Sequence, residues 1–211
     1  MKTVIFDVDG VLLDSEPVIT AASVQALKEY GIQADPGDFR QFAGMGDDIY
    51  IGGVARLHGG EYVPEMKARA YEIYAEIAEK QAVVYPGVLP LMDYLRQHGY
   101  TLAVASASDS FKVMLNLRTV GAGPERFAAI LTGSDVSRKK PFPDIYLEAA
   151  RKAGAKPEEC TVIEDSLAGV QAAKNAGMRC IAVTNTFSAD KLVQAGADFV
   201  FDRIDDAETI L

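Results

Sequence analysis

Apolar residues in this chain gather into short unbroken runs, Thr3 to Val8, Thr101 to Ala105, Ala128 to Leu131, Thr161 to Ile163, Cys180 to Val183 and Phe199 to Phe201, each leading into a stretch of helical character. That alternation predicts a parallel α/β sheet. Helices are expected over Leu89 to His98, Pro143 to Ala153 and Ser166 to Ala176, with Gly99, Gly154 and Gly177 as stops. One connection is abnormally long. About ninety residues separate the first run from the second, where a crossover needs roughly a dozen plus a helix.

The excess has its own pattern. Ser15 can cap a helix whose stripe is Val18, Ile19, Ala22, Leu27 and Tyr30, ended by Gly31. A second helix from Pro64 to about Lys80 repeats the spacing with Met66, Ala70, Ile73, Tyr74 and Ile77. Glycines 44, 46, 52, 53, 59 and 60 interrupt the region between them. The expected organisation is an α/β core of residues 1–14 and 85–211 with a helical domain, residues 15–84, inserted on two hinges near Asp14 and Tyr85-Pro86-Gly87.

Ligands of open parallel sheets bind beyond the carboxyl ends of the strands. The runs end Asp7-Val8-Asp9-Gly10, Ser106-Ala107-Ser108-Asp109 and Glu164-Asp165-Ser166, and Lys139-Lys140-Pro141 follows the third. Four carboxylates and a lysine therefore share one crevice. Such a cluster repels itself unless a cation sits within it, and an all-oxygen set without nearby His or Cys suits Mg²⁺ better than zinc. No Walker loop or strand-linked G-x-G-x-x-G is present.

Composition narrows the partners. The 211 residues are 49% hydrophobic and 24% charged, with 21 Lys+Arg against 30 Asp+Glu and a formal charge of −9. The average field repels phosphate backbones and anionic lipid, so neither nucleic acid nor membrane is an expected partner. Two cysteines, Cys160 and Cys180, each beside an apolar run, read as buried structural thiols of a reducing, cytoplasmic setting. Histidines 58 and 98 read as bland.

In order along the chain, Asp7-Val8-Asp9-Gly10-Val11-Leu12-Leu13-Asp14-Ser15, Ser106, Lys140-Pro141 and Glu164-Asp165 within Val162 to Gly169 resemble the four motifs of the haloacid dehalogenase (HAD) superfamily. The insertion stands where that family carries a helical cap on a doubly wound, Rossmann-like core. The resemblance implies a Mg²⁺-dependent phosphohydrolase. Asp7 would be the nucleophile that becomes an aspartyl phosphate, and Asp9 the general acid and base. Asp7, the backbone carbonyl of Asp9, and Asp165 would hold the metal, with Glu164 close by or acting through water; Ser106 and Lys140 would donate to the phosphoryl oxygens. Lys139 is the lesser of the two lysines, since the family places its lysine directly before proline. Gly44 and Gly46 fall in the cap loop that faces the substrate in related proteins. The implied substrate is a small phosphorylated metabolite, the implied state a monomer or weak dimer.

The alternative is a β-phosphoglucomutase-like mutase, which holds a second phosphate with a cap arginine. Gly44 to Asp48 contains two acids and no base, which favours hydrolysis, though Arg40, Arg56 and Arg69 lie nearby in sequence. Dehalogenating relatives lack the second aspartate, which is present here, and a phosphonatase wants a cap lysine, for which Lys67 and Lys80 sit on an ordinary helix. A binding module that kept the fold without the chemistry would have lost Asp7 or Asp9, and neither is lost.

Overall fold

The computed structural model describes residues 2–211. In chain order its strands and helices are β1 (Thr3–Phe6), β2 (Leu13–Asp14), α1 (Glu16–Glu29), α2 (Asp47–Leu57), α3 (Pro64–Gln81), β3 (Val83–Val84), α4 (Val88–Gln97), β4 (Thr101–Ala105), α5 (Ser110–Val120), β5 (Ala129–Leu131), α6 (Asp144–Lys152), β6 (Cys160–Glu164), α7 (Leu167–Asn175), β7 (Arg179–Val183), α8 (Ala189–Ala195) and β8 (Phe199–Phe201). Short 3-10 turns fill several connections, the longest being Pro36–Phe42.

Six strands form one sheet in the order β5-β4-β1-β6-β7-β8, every neighbouring pair parallel. The period of two in a strand sends alternate side chains to opposite faces, and both faces are filled. Val4 and Phe6 of β1 join Leu102, Val104, Ile163 and Ile181 in a cluster closed by α4 and α5. Ile5 joins Ala103, Val162 and Cys180 in a second, closed by α6, α7 and Leu192 of α8. The sheet is therefore doubly wound, and each strand reads as a plain apolar run because neither face is solvated. Chain order runs from β1 outward through β4 to β5, then returns to β6 on the other side. That reversal puts a crevice at the carboxyl ends of β1, β4 and β6.

The insertion between β1 and β4 packs a core of its own. Val18, Ile19, Ala22, Ala26 and Leu27 of α1 meet Tyr50, Ile51 and Val54 of α2, and Met66, Ala70, Tyr71, Tyr74 and Ala78 of α3. Two stripe assignments need correction. Tyr30 follows the end of α1 and is 42% exposed. On α3 the buried line runs through Tyr71, Tyr74 and Ala78, while Ile73 and Ile77 are only partly covered; the helix is turned so that two tyrosine hydroxyls face inward. Where the insertion leaves and rejoins the core, β2 and β3 pair antiparallel, Leu13 opposite Val84 and Asp14 opposite Val83. α5 of the core lies against α3, and its Leu115 belongs to the insertion's apolar cluster.

Both cysteines are free and buried in the second cluster. Among the described residues no helix is long and apolar enough to cross a membrane.

Candidate active site

Asp7 directly follows β1, and Glu164 and Asp165 stand at the end of β6, the neighbouring strand, so register alone brings the three carboxylates together. One oxygen from each lies within 4.8 Å of the others. Lys140 enters from the loop after β5 and places Nζ 2.7 Å from Asp7 Oδ1 and 2.6 Å from Glu164 Oε1. All four side chains are buried. A single lysine thus faces three enclosed acids, and one positive charge does not balance them.

The imbalance shows in their proton affinities. Burial pushes the Asp7 carboxyl up to about 7, with Lys140 opposing and Glu164 reinforcing the rise. Asp165 rises well above the usual carboxylate range, chiefly through burial and then through repulsion from Glu164 and Asp7. Glu164 goes the other way: burial opposes ionisation, but Lys140 and four further donors outweigh it. Those donors are the Tyr146 hydroxyl at 2.9 Å, the backbone N–H of Asp165 and of Ser166 at 2.8 Å each, and Ser166 Oγ at 3.0 Å. Two buried acids that are costly to ionise, beside a third that is fully satisfied, form a donor set suited to a hard divalent cation. Asp7 and Asp165 have the free capacity to ligate; Glu164 spends its oxygens on fixing Lys140 and the start of α7.

Asp9 points away from that cluster. Its Oδ1 accepts from the Ser15 hydroxyl, from Asn116 Nδ2 at 2.9 Å, and lies 3.0 Å from Lys112 Nζ. Oδ2 accepts from Ser108 Oγ at 2.8 Å and, at 3.5 Å, from Ser106 Oγ. Burial opposes its ionisation, but Lys112 and the hydroxyls of Ser15 and Ser108 hold the carboxyl below the usual range. The Asp9 carboxylate is not part of the acidic cluster formed by Asp7, Glu164 and Asp165. Ser15 also differs from expectation. It stands at the N-cap position of α1 but makes no side-chain cap, because its hydroxyl goes to Asp9.

Two glycines set the width of the crevice. Gly10 has φ +79°, and a Cβ there would lie 2.0 Å from Asp165 Oδ2; a side chain at this position would strain the backbone and occupy the carboxylate's place. Gly44, at φ +78°, would set a Cβ 2.7 Å from that of Ser166, so its bareness lets the insertion's loop rest on the core. Gly46 closes on the carbonyl of Ala107. Together these walls enclose a cavity of about 630 Å³ lined by Asp7, Asp9, Gly44, Gly46, Ser106 and Lys140 among others. Every predicted site residue thus borders one space or one cluster. Lys139 does not join them; its Nζ goes to the carbonyl of Gly133.

Sequence reasoning missed Lys112, Asn116, Ser108, Tyr146 and Thr186, whose hydroxyl donates to Asp165. It also misjudged the acids of the Gly44 to Asp48 loop. Asp47 accepts from Tyr71 at 2.6 Å and lies 3.6 Å from Lys112; Asp48 pairs with Lys67 at 2.9 Å. Both charges are locally answered, so the loop does not present two bare acids to a substrate. Of the three arginines, Arg69 is paired with Glu29 and Glu72 on the surface, whereas Arg40 lines the cavity.

A doubly wound sheet, a helical lid and an acid-rich crevice at the strand ends define a capped α/β hydrolase. The family model of the haloacid dehalogenase-like hydrolases matches residues 4–183, and the chain belongs to that family. It is 40% identical over 97% of its length to Protein SUPPRESSOR OF QUENCHING 1, chloroplastic, of Arabidopsis thaliana, of which it spans only 20%. It is 30% identical to the Validoxylamine A 7'-phosphate phosphatase of Streptomyces hygroscopicus subsp. limoneus, covering 92% of this chain and 91% of that one. Among solved structures, CbbY from Rhodobacter sphaeroides in complex with phosphate superposes with a TM-score of 0.87 at 29% identity, over 98% of this chain and 96% of that one. The family makes the chain a haloacid dehalogenase-like hydrolase, and the Streptomyces relative is by name a phosphatase. β-Phosphoglucomutases share the fold, which by itself does not separate the two chemistries.

Proposed function

We propose that the chain is a magnesium-dependent phosphohydrolase that removes phosphate from a small phosphorylated metabolite through an aspartyl-phosphate intermediate, with residues 15–84 as its cap. The observation that carries this reading is Lys140 fixed between Asp7 and Glu164 while Asp165, within 4.8 Å of both acids, makes no ion pair among the described residues. Lys140 holds Oδ1 of Asp7 and leaves Oδ2 for in-line attack on phosphorus. As that P–O bond forms, the ester P–O bond breaks and the departing oxygen takes a proton from Asp9, which must first acquire one from solvent against the pull of Lys112. Water then attacks phosphorus, passes a proton to Asp9, and frees Asp7. Ser106 and Lys140 donate to the phosphoryl oxygens, where charge must be stabilised. Asp7, Asp165 and the Asp9 carbonyl would hold Mg²⁺, which would supply positive charge for the phosphoryl group. Glu164 serves by orienting Lys140. Two free thiols fit a reducing, cytoplasmic setting, and a monomer or weak dimer suffices for this site.

The test is a screen of phosphorylated metabolites with Mg²⁺, scored for released phosphate. Turnover that stops in chelator and in Asp165→Ala supports the reading, and full rates under either condition would sink it.

A second reading, phosphosugar mutase, draws on Arg40, which lines the cavity and has no ion pair among the described residues. Its place beside Gly37 and Ala43 suits a distal phosphate. β-Glucose 1-phosphate, given with Mg²⁺ and catalytic bisphosphate, separates the two. Free phosphate, or no reaction, is expected. Stoichiometric conversion to glucose 6-phosphate that disappears in Arg40→Ala would establish the mutase.

A further inference from the structure

The loop after β7 makes two contacts with the groups proposed above to hold Mg²⁺. Thr186 donates its hydroxyl to Asp165 Oδ2, and Asn185 Nδ2 donates to the backbone carbonyl of Gly10 at 2.7 Å. Both residues line the cavity. The two contacts converge, because Asp165 Oδ2 is also the atom on which a Cβ at Gly10 would fall. Thr186 thereby commits Oδ2; among the described residues Asp165 Oδ1 has no such donor and is the oxygen left for a ligand.

Gly10 is fixed from both directions. Its N–H donates to the Leu13 carbonyl at 3.0 Å, and its carbonyl accepts from Asn185. The Gly10 N–H and the Asp9 carbonyl belong to one planar trans peptide, so holding the first holds the direction of the second. The loop that does this is itself anchored on either side of the pair. Thr184 donates its N–H to the Phe201 carbonyl at 3.0 Å and its hydroxyl to Asp202 Oδ1 at 2.7 Å, while Phe187 packs into the apolar cluster beneath α6 and α7. Asn185 is exposed and Thr186 only partly covered, so neither serves to fill the core.

We propose that Thr186 and Asn185 are positioning residues for the metal, Thr186 turning the Asp165 carboxylate and Asn185 holding the Asp9–Gly10 peptide, so that this loop tunes the site to Mg²⁺ against a larger divalent cation. The inference rests on the magnesium reading given above. Mg²⁺ demands near-octahedral oxygens at about 2.0–2.1 Å, whereas Ca²⁺ takes roughly 6–8 oxygens at about 2.3–2.6 Å in looser arrangements. Ligands held still therefore favour the smaller ion, and ligands free to swing lose more for Mg²⁺ than for Ca²⁺. A hydroxyl that merely favoured the charged form of Asp165 acts differently. Its loss lets protons compete for the ligand, and they compete alike with both cations.

The test is calorimetric titration of Mg²⁺ and of Ca²⁺ into the protein at pH 8. Wild-type Mg²⁺ binding that is lost in Asp165→Ala establishes the metal site independently. Thr186→Val keeps the shape of the side chain and removes the hydroxyl; Asn185→Ala removes the second contact. Each is expected to weaken Mg²⁺ by roughly 10–100-fold and Ca²⁺ by less, so that the Mg²⁺-to-Ca²⁺ affinity ratio falls at least about threefold. Thr186→Ser, which keeps the donor, should restore most of that ratio. Parental Mg²⁺ affinity in either variant, or equal losses for the two ions, would overturn the positioning role. Should Thr186→Val fail to fold by circular dichroism, Asn185→Ala, at an exposed position, decides by the same ratio. A wild type that bound no Mg²⁺ would overturn this inference together with the metal reading.

Discussion

Replacing Lys140 with methionine removes the one cation that faces Asp7 and Glu164. Breaking a buried ion pair from one side costs about 3–5 kcal/mol, because the remaining charge is left enclosed. Two features of the site lower that figure. Glu164 keeps four other donors. Asp7, already raised to about 7 by burial against the pull of Lys140, rises further once the lysine is gone and accepts a proton. Its folded pKa lies above its unfolded value, so protonation favours the folded state and the penalty of the charged form grows as pH rises through about 7. In chelator the expected loss is about 3 kcal/mol at pH 8, close to 6–12 °C in Tm for a chain of this size. At pH 5, below the raised pKa of Asp7, the loss should shrink to roughly half. Urea and thermal unfolding of parent and variant at the two pH values measure it. A loss below about 1 kcal/mol at pH 8, or one of equal size at both, would refute the view that Lys140 compensates charge in this crevice.

Asp7→Asn should be inactive yet, in chelator at pH 8, at least as stable as the parent, because it deletes an acid that is costly to ionise; turnover above a contamination control would overturn the assignment of the nucleophile. Mg²⁺ affinity should weaken as pH falls from 8 to 6, since protons compete for Asp7 and Asp165, whose carboxyls are both raised; calorimetric titrations showing the same affinity at both would contradict the cluster as the metal site. Gly10→Ala should cost more than about 1 kcal/mol, as it forces a side chain into φ +79° and against Asp165, and it should weaken Mg²⁺ binding; a stable variant with parental affinity would show that the loop yields freely.

The core was readable because its strands, edge strand β8 apart, are buried on both sides and so appear as short apolar runs, with the reactive residues one or two positions beyond their ends. β1, β4 and β6 place Asp7, Ser106 and Glu164 in this way. The long gap between the first two runs exposed the insertion. What stayed hidden was polar and helical. Lys112 and Asn116, four apart on α5, look like an ordinary solvated face, and only the packing of α3 on α5 turns that face inward. The stripe of α3 was misjudged for the matching reason: tyrosines 71 and 74 supplant the isoleucines because their hydroxyls have partners, Asp47 and Asn116, that lie far away in sequence. Glu164 and Asp165 are alike in a one-dimensional string, where nothing distinguishes an acid with five donors from its neighbour with one.

The small ribbon of β2 and β3 bears on how the chain assembles. Pairing β1 with β4 joins Thr3 to Thr101, and such distant contacts are entropically expensive to close. Once Leu13 has met Val84, the free chain between those two strands shrinks from 98 residues to roughly 27, which relieves closure by about 1 kcal/mol. Everything beyond the ribbon then hangs outside the loop whose length matters to the sheet. The insertion's length then enters only through closure of the ribbon itself, where each doubling costs roughly 0.6 kcal/mol, so lengthening, shortening or exchanging it changes little in how readily the core forms.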